Sequence, residues 1–457
     1  MKVRVIILLF LIVLSLSIFG LSVKVVSPKD GDTVTGKLVI EAQVDDPSGV
    51  LQVVEFYLEK YEIYETRKPP FICEIDTDEL ASGSYKVTVY ARGKEENVRA
   101  TVTFSVAKKN WVKKVLSYNI TPRKLLTTSD GGFLILGSYK GASTIVKLKK
   151  DLVEEWSKTI NKNINEIIPI ENNEYIVLGS GVYLAKLDKN GNILWEKVFE
   201  EGEEAYGIVS TKDGYIIVGS TSTFDTSGKS YIYVFKVSKD GRMEWEKAFS
   251  PLSTSYAQGL AVFMNSDNTF DIVAADKSYK TYNELSNIRL LRIDDKGNRI
   301  ASSSQGIIGN SYYFGKVTRT SDGGYLMVGE SSSYSSSKSG GYVVKLDNSG
   351  KKSWEVVYGN EGFSSVKAVV EAPDGGYLLV GQTNIFGTAP DTFILRIDKS
   401  GKIMWKKIYG EVGSEIGYDV VALPAGGFMI IGQAKDKIFF LELDHEGKVK
   451  VAESIQK

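Results

Sequence analysis

Asp374-Gly375-Gly376-Tyr377-Leu378-Leu379-Val380-Gly381, followed by Phe393-Ile394-Leu395-Arg396-Ile397-Asp398-Lys399-Ser400-Gly401-Lys402-Ile403-Met404-Trp405, holds one complete structural phrase. Asp-Gly-Gly makes a tight turn, because glycine enters left-handed backbone without steric cost. The apolar run after it is a strand buried on both faces, and a variable loop leads to a third strand. Asp398 to Gly401 then turns the chain into a fourth strand that carries a tryptophan. Between Trp111 and the C-terminus this phrase recurs seven times, its second strands ending near Gly137, Gly179, Gly219, Ala274, Gly329, Gly381 and Gly432. A period of roughly 40–50 residues made of short strands predicts a closed ring of four-stranded sheets. The fold class is therefore all-β, with a seven-bladed β-propeller expected and eight blades the alternative.

Inner strands are read at Tyr206–Ser210 and Tyr418–Ala422. The fourth copy is degenerate: Ala274-Ala275 replaces Val-Gly, and Ala301 stands where Trp is expected. Trp156, Trp195, Trp245, Trp354 and Trp405 are expected to cover the outer parts of blade-to-blade contacts. Eight segments compete for seven fourth-strand places. Ring closure assigns the last to Trp111–Val115, which would shield an open edge, with Val449–Ala452 as the runner-up.

Formal net charge is zero, with 56 basic and 56 acidic residues and no block of either sign, which argues against a nucleic-acid footprint. Met1-Lys2-Val3-Arg4 followed by the apolar run Val5–Phe19 reads as a secretory signal cut after Ser22 or Ser17. An uncleaved membrane anchor is the rival reading, at the short end of spanning length. Cys73 is the only cysteine, so no intramolecular disulfide can form, and it reads as a buried strand residue.

From Ser22 to Lys108 the pattern changes. Val39–Val44, Val53–Leu58, Tyr85–Ala91 and Ala100–Val106 alternate apolar and polar residues as half-buried strands do. Turn signals at Asp30-Gly31-Asp32, Asp45–Gly49 and Ser82-Gly83-Ser84 separate them, which predicts a β-sandwich. Three regions are expected: a leader at 1–22, a sandwich at 23–108 and the propeller at 109–457. Ser27-Pro28-Lys29-Asp30-Gly31-Asp32-Thr33-Val34, Val53–Tyr57, Pro69-Pro70-Phe71 and Gly83-Ser84-Tyr85 resemble a bacterial immunoglobulin-like module. That resemblance implies a spacer or adhesive unit on an exported protein. The recurring Asp-x-x-Gly-x-x-x-Trp (Asp188–Trp195, Asp347–Trp354, Asp398–Trp405) resembles the tryptophan-docking repeat of quinoprotein dehydrogenases and related WD40-like scaffold propellers. Quinone enzymes also need adjacent cysteines, and a single Cys73 confines the resemblance to the blade.

No catalytic constellation stands out. Asp188–Gly191, Asp398–Gly401 and Asp444–Gly447 look like calcium loops, but a second carboxylate is generally missing, and Asp and Gly are what a tight turn demands. His445, the sole histidine, lies in one of these turns. No metal or cofactor is therefore expected. The irregular connections, including 220–230, 276–286, 330–340, 382–390 and the acidic 200–204, fall on one face of the predicted ring. Tyr206, Tyr256, Tyr312, Tyr313, Tyr418, Lys124, Glu166, Lys316 and Asp419 gather at inner-strand starts near that face and form the candidate ligand-binding set. The functional expectation is an exported, non-catalytic recognition or scaffold protein at the cell envelope, binding a protein or glycan. A polysaccharide-active hydrolase or lyase, and a structural envelope component, remain the alternatives. A membrane is a partner only if the N-terminal segment stays uncleaved.

Overall fold

The structure, a computed structural model, describes residues 20–108, 111–112, 114–199, 204–222, 229–251, 256–277, 287–306, 312–332, 339–358, 364–384, 389–411 and 413–450. The expected leader up to Phe19 lies outside these residues. Among the described residues no helix is long and apolar enough to cross a membrane. The chain divides into two compact units, Met1–Thr77 with Gly83–Ala107, and Asp78–Ser82 with Lys108–Lys457.

The first unit is a two-sheet sandwich of strands β1 (Ser22–Ser27), β2 (Thr33–Val34), β3 (Lys37–Asp45), β4 (Leu51–Leu58), β5 (Tyr61–Thr66), β6 (Ile72–Asp76), β7 (Gly83–Gly93) and β8 (Asn97–Val106). One sheet runs β1-β3-β6 and the other β2-β8-β7-β4-β5. Alternation decides which side is buried. Val54, Phe56 and Leu58 of β4 and Tyr85, Val87, Val89 and Ala91 of β7 face the core, while Glu55, Tyr57, Lys86 and Tyr90 face outward. Cys73 lies buried in β6, where burial and the neighbouring Glu74 push its thiol up to about 11, so it packs as an inert small residue.

Among the described residues the second unit forms seven four-stranded antiparallel sheets. Their first strands are Thr121–Thr127, Ile164–Pro169, Glu204–Ser210, Tyr256–Met264, Tyr312–Arg319, Ser364–Glu371 and Glu415–Ala422. An apolar cluster fills the space between each sheet and the next. The cluster of Met429, Ile431 and Phe440 with Leu125, Phe133 and Ile135 joins the last sheet to the first, so the ring closes. The sheets are numbered 1 to 7 below.

Closure uses two segments of the second unit, one before its first sheet and one after the last turn. Lys114–Leu116 pairs with Phe440–Ile438 of the third strand of sheet 7. Val449 bridges Leu443, and the Lys450 amide donates to the Glu442 carbonyl at 2.9 Å. The two candidate segments therefore share the fourth place instead of competing for it. Trp111 departs from the expectation. Counted from Asp444 as from Asp347 and Asp398, the place where other sheets carry Trp falls on Val451, which lies outside the described residues. Trp111 is instead buried between Tyr409 and Phe439, in the contact of sheets 6 and 7.

The remaining tryptophans dock as their spacing suggested. A Cβ on Gly191 would meet the ring of Trp156, on Gly241 that of Trp195, on Gly297 that of Trp245, on Gly401 that of Trp354 and on Gly447 that of Trp405. Each indole thus lies on the turn glycine of the following sheet. At the corresponding turn of sheet 1, where the preceding sheet offers no Trp, the left-handed position is held by buried Leu152.

Candidate functional site

Because neighbouring strands are antiparallel, the turns after first and third strands share one face of the ring, and the connections after second and fourth strands share the other. On the turn face every repeated carboxylate has local partners. Asp188 accepts the amides of Asn190 and Asn192, Asp347 those of Ser349 and Lys351, and Asp398 those of Ser400 and Lys402. These carboxyls titrate below the ordinary range; hydrogen bonds account for this, outweighing the opposing effect of burial at Asp347. Asp130, Asp213 and Asp322 of the first turns each hold a buried third-strand lysine, Lys147, Lys236 and Lys345, at 2.8–2.9 Å. Arg396 and Asp374 repeat the pair in sheet 6. His445 is exposed in its turn. Among the described residues no three His, Cys, Asp or Glu side chains gather as a metal-binding group.

The other face is uneven. Second and third strands are joined by Lys140-Gly141 in sheet 1, residues 180–182 in sheet 2 and Lys435-Asp436 in sheet 7. In sheets 3 to 6 the connections span 222–230, 278–286, 333–338 and 384–390. One sector of the rim therefore carries flush hairpins and the opposite sector long loops. Most of those loops, and residues 200–203 of the acidic run, lie outside the described residues.

All seven first strands share a β-bulge at one position. The extra residues are Arg123, Asn165, Tyr206, Leu260, Gly315, Lys367 and Tyr418, followed by Lys124, Glu166, Gly207, Ala261, Lys316, Ala368 and Asp419. Six of the nine candidates thus occupy two successive positions around the axis. Tyr256 begins its strand further toward the rim, opposite Lys277, and its hydroxyl donates to Gln258 at 3.2 Å. Tyr312 and Tyr313 begin the first strand of sheet 5. Their side chains lie outside the described residues.

Charged members of the set engage one another. Lys124 pairs with Glu166 between sheets 1 and 2. Lys316 reaches Asp419 at 2.6 Å, from sheet 5 to sheet 7. Asp419 is only 2% exposed and also accepts the Leu125 amide at 2.8 Å. These four side chains tie the first strands together at the axis. Gly207, Ala261 and Ala368 complete the ring at this level. A Cβ on Gly207 would lie 2.9 Å from the Ala261 Cα, so small residues are required where first strands approach this closely.

The bulge also reveals groups that the sequence did not single out. Arg123 donates to Asn163 Oδ1 at 2.7 Å and to the Ile164 carbonyl at 3.0 Å, and Asn165 donates to the Ala205 carbonyl at 2.9 Å. Each thereby links its sheet to the next. Lys367 makes no ion pair among the described residues; burial lowers its pKa, partly opposed by Glu330. Burial raises Glu330, with Lys367 opposing. A bulge shifts the in-out alternation by one residue within the strand, which is why alternation alone does not mark these positions.

Residues 22–89 match the family model of the bacterial Ig domain. No curated protein matches the chain in sequence. Similar solved structures include a streptogramin B lyase, 14% identical at TM-score 0.48, covering 75% of this chain and 100% of the other. A quinoprotein alcohol dehydrogenase-like protein from Bacteroides thetaiotaomicron is 13% identical at TM-score 0.40, covering 85% and 97%. BamB from Moraxella catarrhalis is 12% identical at TM-score 0.39, covering 72% and 100%. The chain is thus an immunoglobulin-like domain followed by a propeller, and likeness at this level carries nothing about chemistry.

Proposed function

We propose that the protein is exported and serves as a non-catalytic recognition or scaffold component of the cell envelope, holding a protein or glycan partner on the irregular face of its propeller. The observation that carries this reading is the use of the axial charges. Lys124, Glu166, Lys316 and Asp419 are spent on one another and on backbone amides, so the centre acts as a fastening and not as a set of groups held ready for proton transfer. Variation is left to the rim, where long connections from sheets 3 to 6 face flush hairpins from sheets 7, 1 and 2. Connections of unequal length on a rigid ring suit shape-selective binding. Tyr206, Tyr256 and Tyr418, half-buried, would supply aromatic surface on this side of the ring.

The test is to replace 222–230 and 384–390 with two-residue hairpins like Lys140-Gly141 and to recover partners from an envelope fraction. Capture by the parent chain and loss of the same partner by the variant is the expected result. Equal capture by both overturns the assignment to this face. Turnover of a polysaccharide by the parent, abolished by Glu330→Gln, would replace the reading with an enzymatic one.

A further inference from the structure

The outward face of the five-stranded sheet in the first unit carries a groove of about 440 Å³, and its lining has a definite chemistry. Register places Tyr57 of β4 opposite Thr88 of β7, which faces Thr101 of β8; one step along, Glu55, Tyr90 and Arg99 form the next row. The floor is hydroxylic, with the two threonine oxygens 3.2 Å apart. Thr88 points away from the core yet is only 6% exposed, so this sheet face is recessed between its neighbours.

The aromatic wall is held in place from behind. The Tyr57 and Tyr90 rings meet edge to face at 5.3 Å. Arg92 lies over the Tyr90 ring at 4.9 Å and is fixed by Glu55 at 2.7 Å. The Tyr57 hydroxyl bonds Glu55 and Glu62. The acids of this face are therefore engaged, and Glu59 is occupied by the Lys86 amide at 2.7 Å. Lys60, Lys86 and Arg99 also line the groove, and among the described residues none of them has an ion-pair partner. Braced rings, paired hydroxyls and cations without an ion pair match a sugar ring that bears a carboxylate.

We propose that this groove binds an acidic polysaccharide, a run of uronate residues. A tyrosine face packs on the apolar side of one pyranose. Lys86 and Arg99 take the carboxylates, and Thr101 hydrogen-bonds a ring hydroxyl. This site is separate from the propeller face, and shortening the propeller loops leaves it unchanged.

The experiment titrates the full chain with polygalacturonate, with its methyl ester and with a neutral galactan. Binding of the acid polymer alone is expected. Lys86→Gln with Arg99→Gln should weaken it at least about tenfold, since each removes a charge-assisted hydrogen bond. Both positions are exposed, so folding should be retained, and an unaltered unfolding midpoint checks it. Tyr90→Ala should weaken binding while Tyr90→Phe preserves it. Equal binding of the methyl ester, full binding by the double variant, or indifference to Tyr90→Ala would each overturn the proposal.

Discussion

Between sheets 5 and 6 an indole does what a guanidinium does between sheets 4 and 5. Trp354 rests on Gly401, and its Nε1 donates to the Lys399 carbonyl at 2.9 Å. In sheet 4 the same strand position is Ala301, opposite Arg292. There the Arg292 guanidinium reaches the equivalent carbonyl, that of Asn348, at 3.5 Å, and the Ser303 hydroxyl donates to the Ser349 carbonyl at 2.8 Å. Arg292 is anchored by Asp271, fully buried, which also accepts from Tyr325 at 2.5 Å and Asn265 at 2.9 Å. One turn is held by an indole cap with the Trp354 and Tyr358 side chains donating to its carbonyls, the other by a buried ionic network. The repeat therefore conserves the turn to be held, and not the residue that holds it.

The largest effect is expected where a buried charge loses its partner. Arg292→Ala leaves the fully buried Asp271 without its cation and should cost about 3–5 kcal/mol in urea unfolding. Replacing both Asp271 and Arg292 with leucine should recover most of that loss, since two apolar residues of similar volume remove the desolvation penalty along with the attraction. A double variant as unstable as the single one would show that the network is indispensable and break the equivalence. Trp354→Ala should cost less, about 2–3 kcal/mol, because the indole is only partly buried and its loss strands no charge.

The degeneracy of the fourth copy was plain in the sequence, but its compensation was not. Ala301 in place of Trp showed that something was missing. The signal for what replaced it lies one strand earlier. Leu134, Ile176, Ile216, Leu326, Leu378 and Met429 occupy the second-strand position that faces the third-strand cation or its equivalent, and at this position sheet 4 alone has a charge, Asp271. Reading the repeats as aligned columns instead of as separate strands would have paired Asp271 with Arg292. The axial bulge is different. It changes register by one residue inside first strands that already mix buried, half-buried and polar positions, so a polar residue such as Lys367 does not stand out from them. The ring, its turns and its tryptophans follow from periodicity, whereas the pairing of Lys316 with Asp419 across two sheets depends on closure, which no local pattern encodes.

A smaller effect tests whether the turn beneath the indole is itself restrictive. Gly401 has φ +88°, and a Cβ there would sit 3.2 Å from the Trp354 ring. Gly401→Ala should cost about 1–2 kcal/mol through left-handed strain and displacement of the indole. Combined with Trp354→Ala, the extra cost should shrink toward the strain alone, about 1 kcal/mol, because the ring is gone. Full additivity would mean that the contact contributes nothing.

Acidity separates two buried carboxylates most finely. At Asp271 burial works to raise the pKa, yet hydrogen bonds from Arg292, Tyr325 and Asn265 prevail and hold it below the ordinary value. Its stabilisation is therefore present above the unfolded pKa and lost as pH falls through the folded one. Asp391, at the start of the third strand of sheet 6, is pushed up to about 7 by burial and by Glu415, with Lys108 opposing. The sign is reversed: folding favours the protonated form, so the stability it contributes is present below about pH 4 and lost as pH rises toward 7. Asp391→Asn should raise the unfolding midpoint at pH 8, where the parent must bury a charge beside Glu415, and leave it nearly unchanged at pH 4. Asp271→Asn should instead lower the midpoint at pH 8 and converge on the parent in acid. If both variants moved the midpoint in the same direction at pH 8, the distinction between a carboxylate fastened by its cation and one merely enclosed would fail.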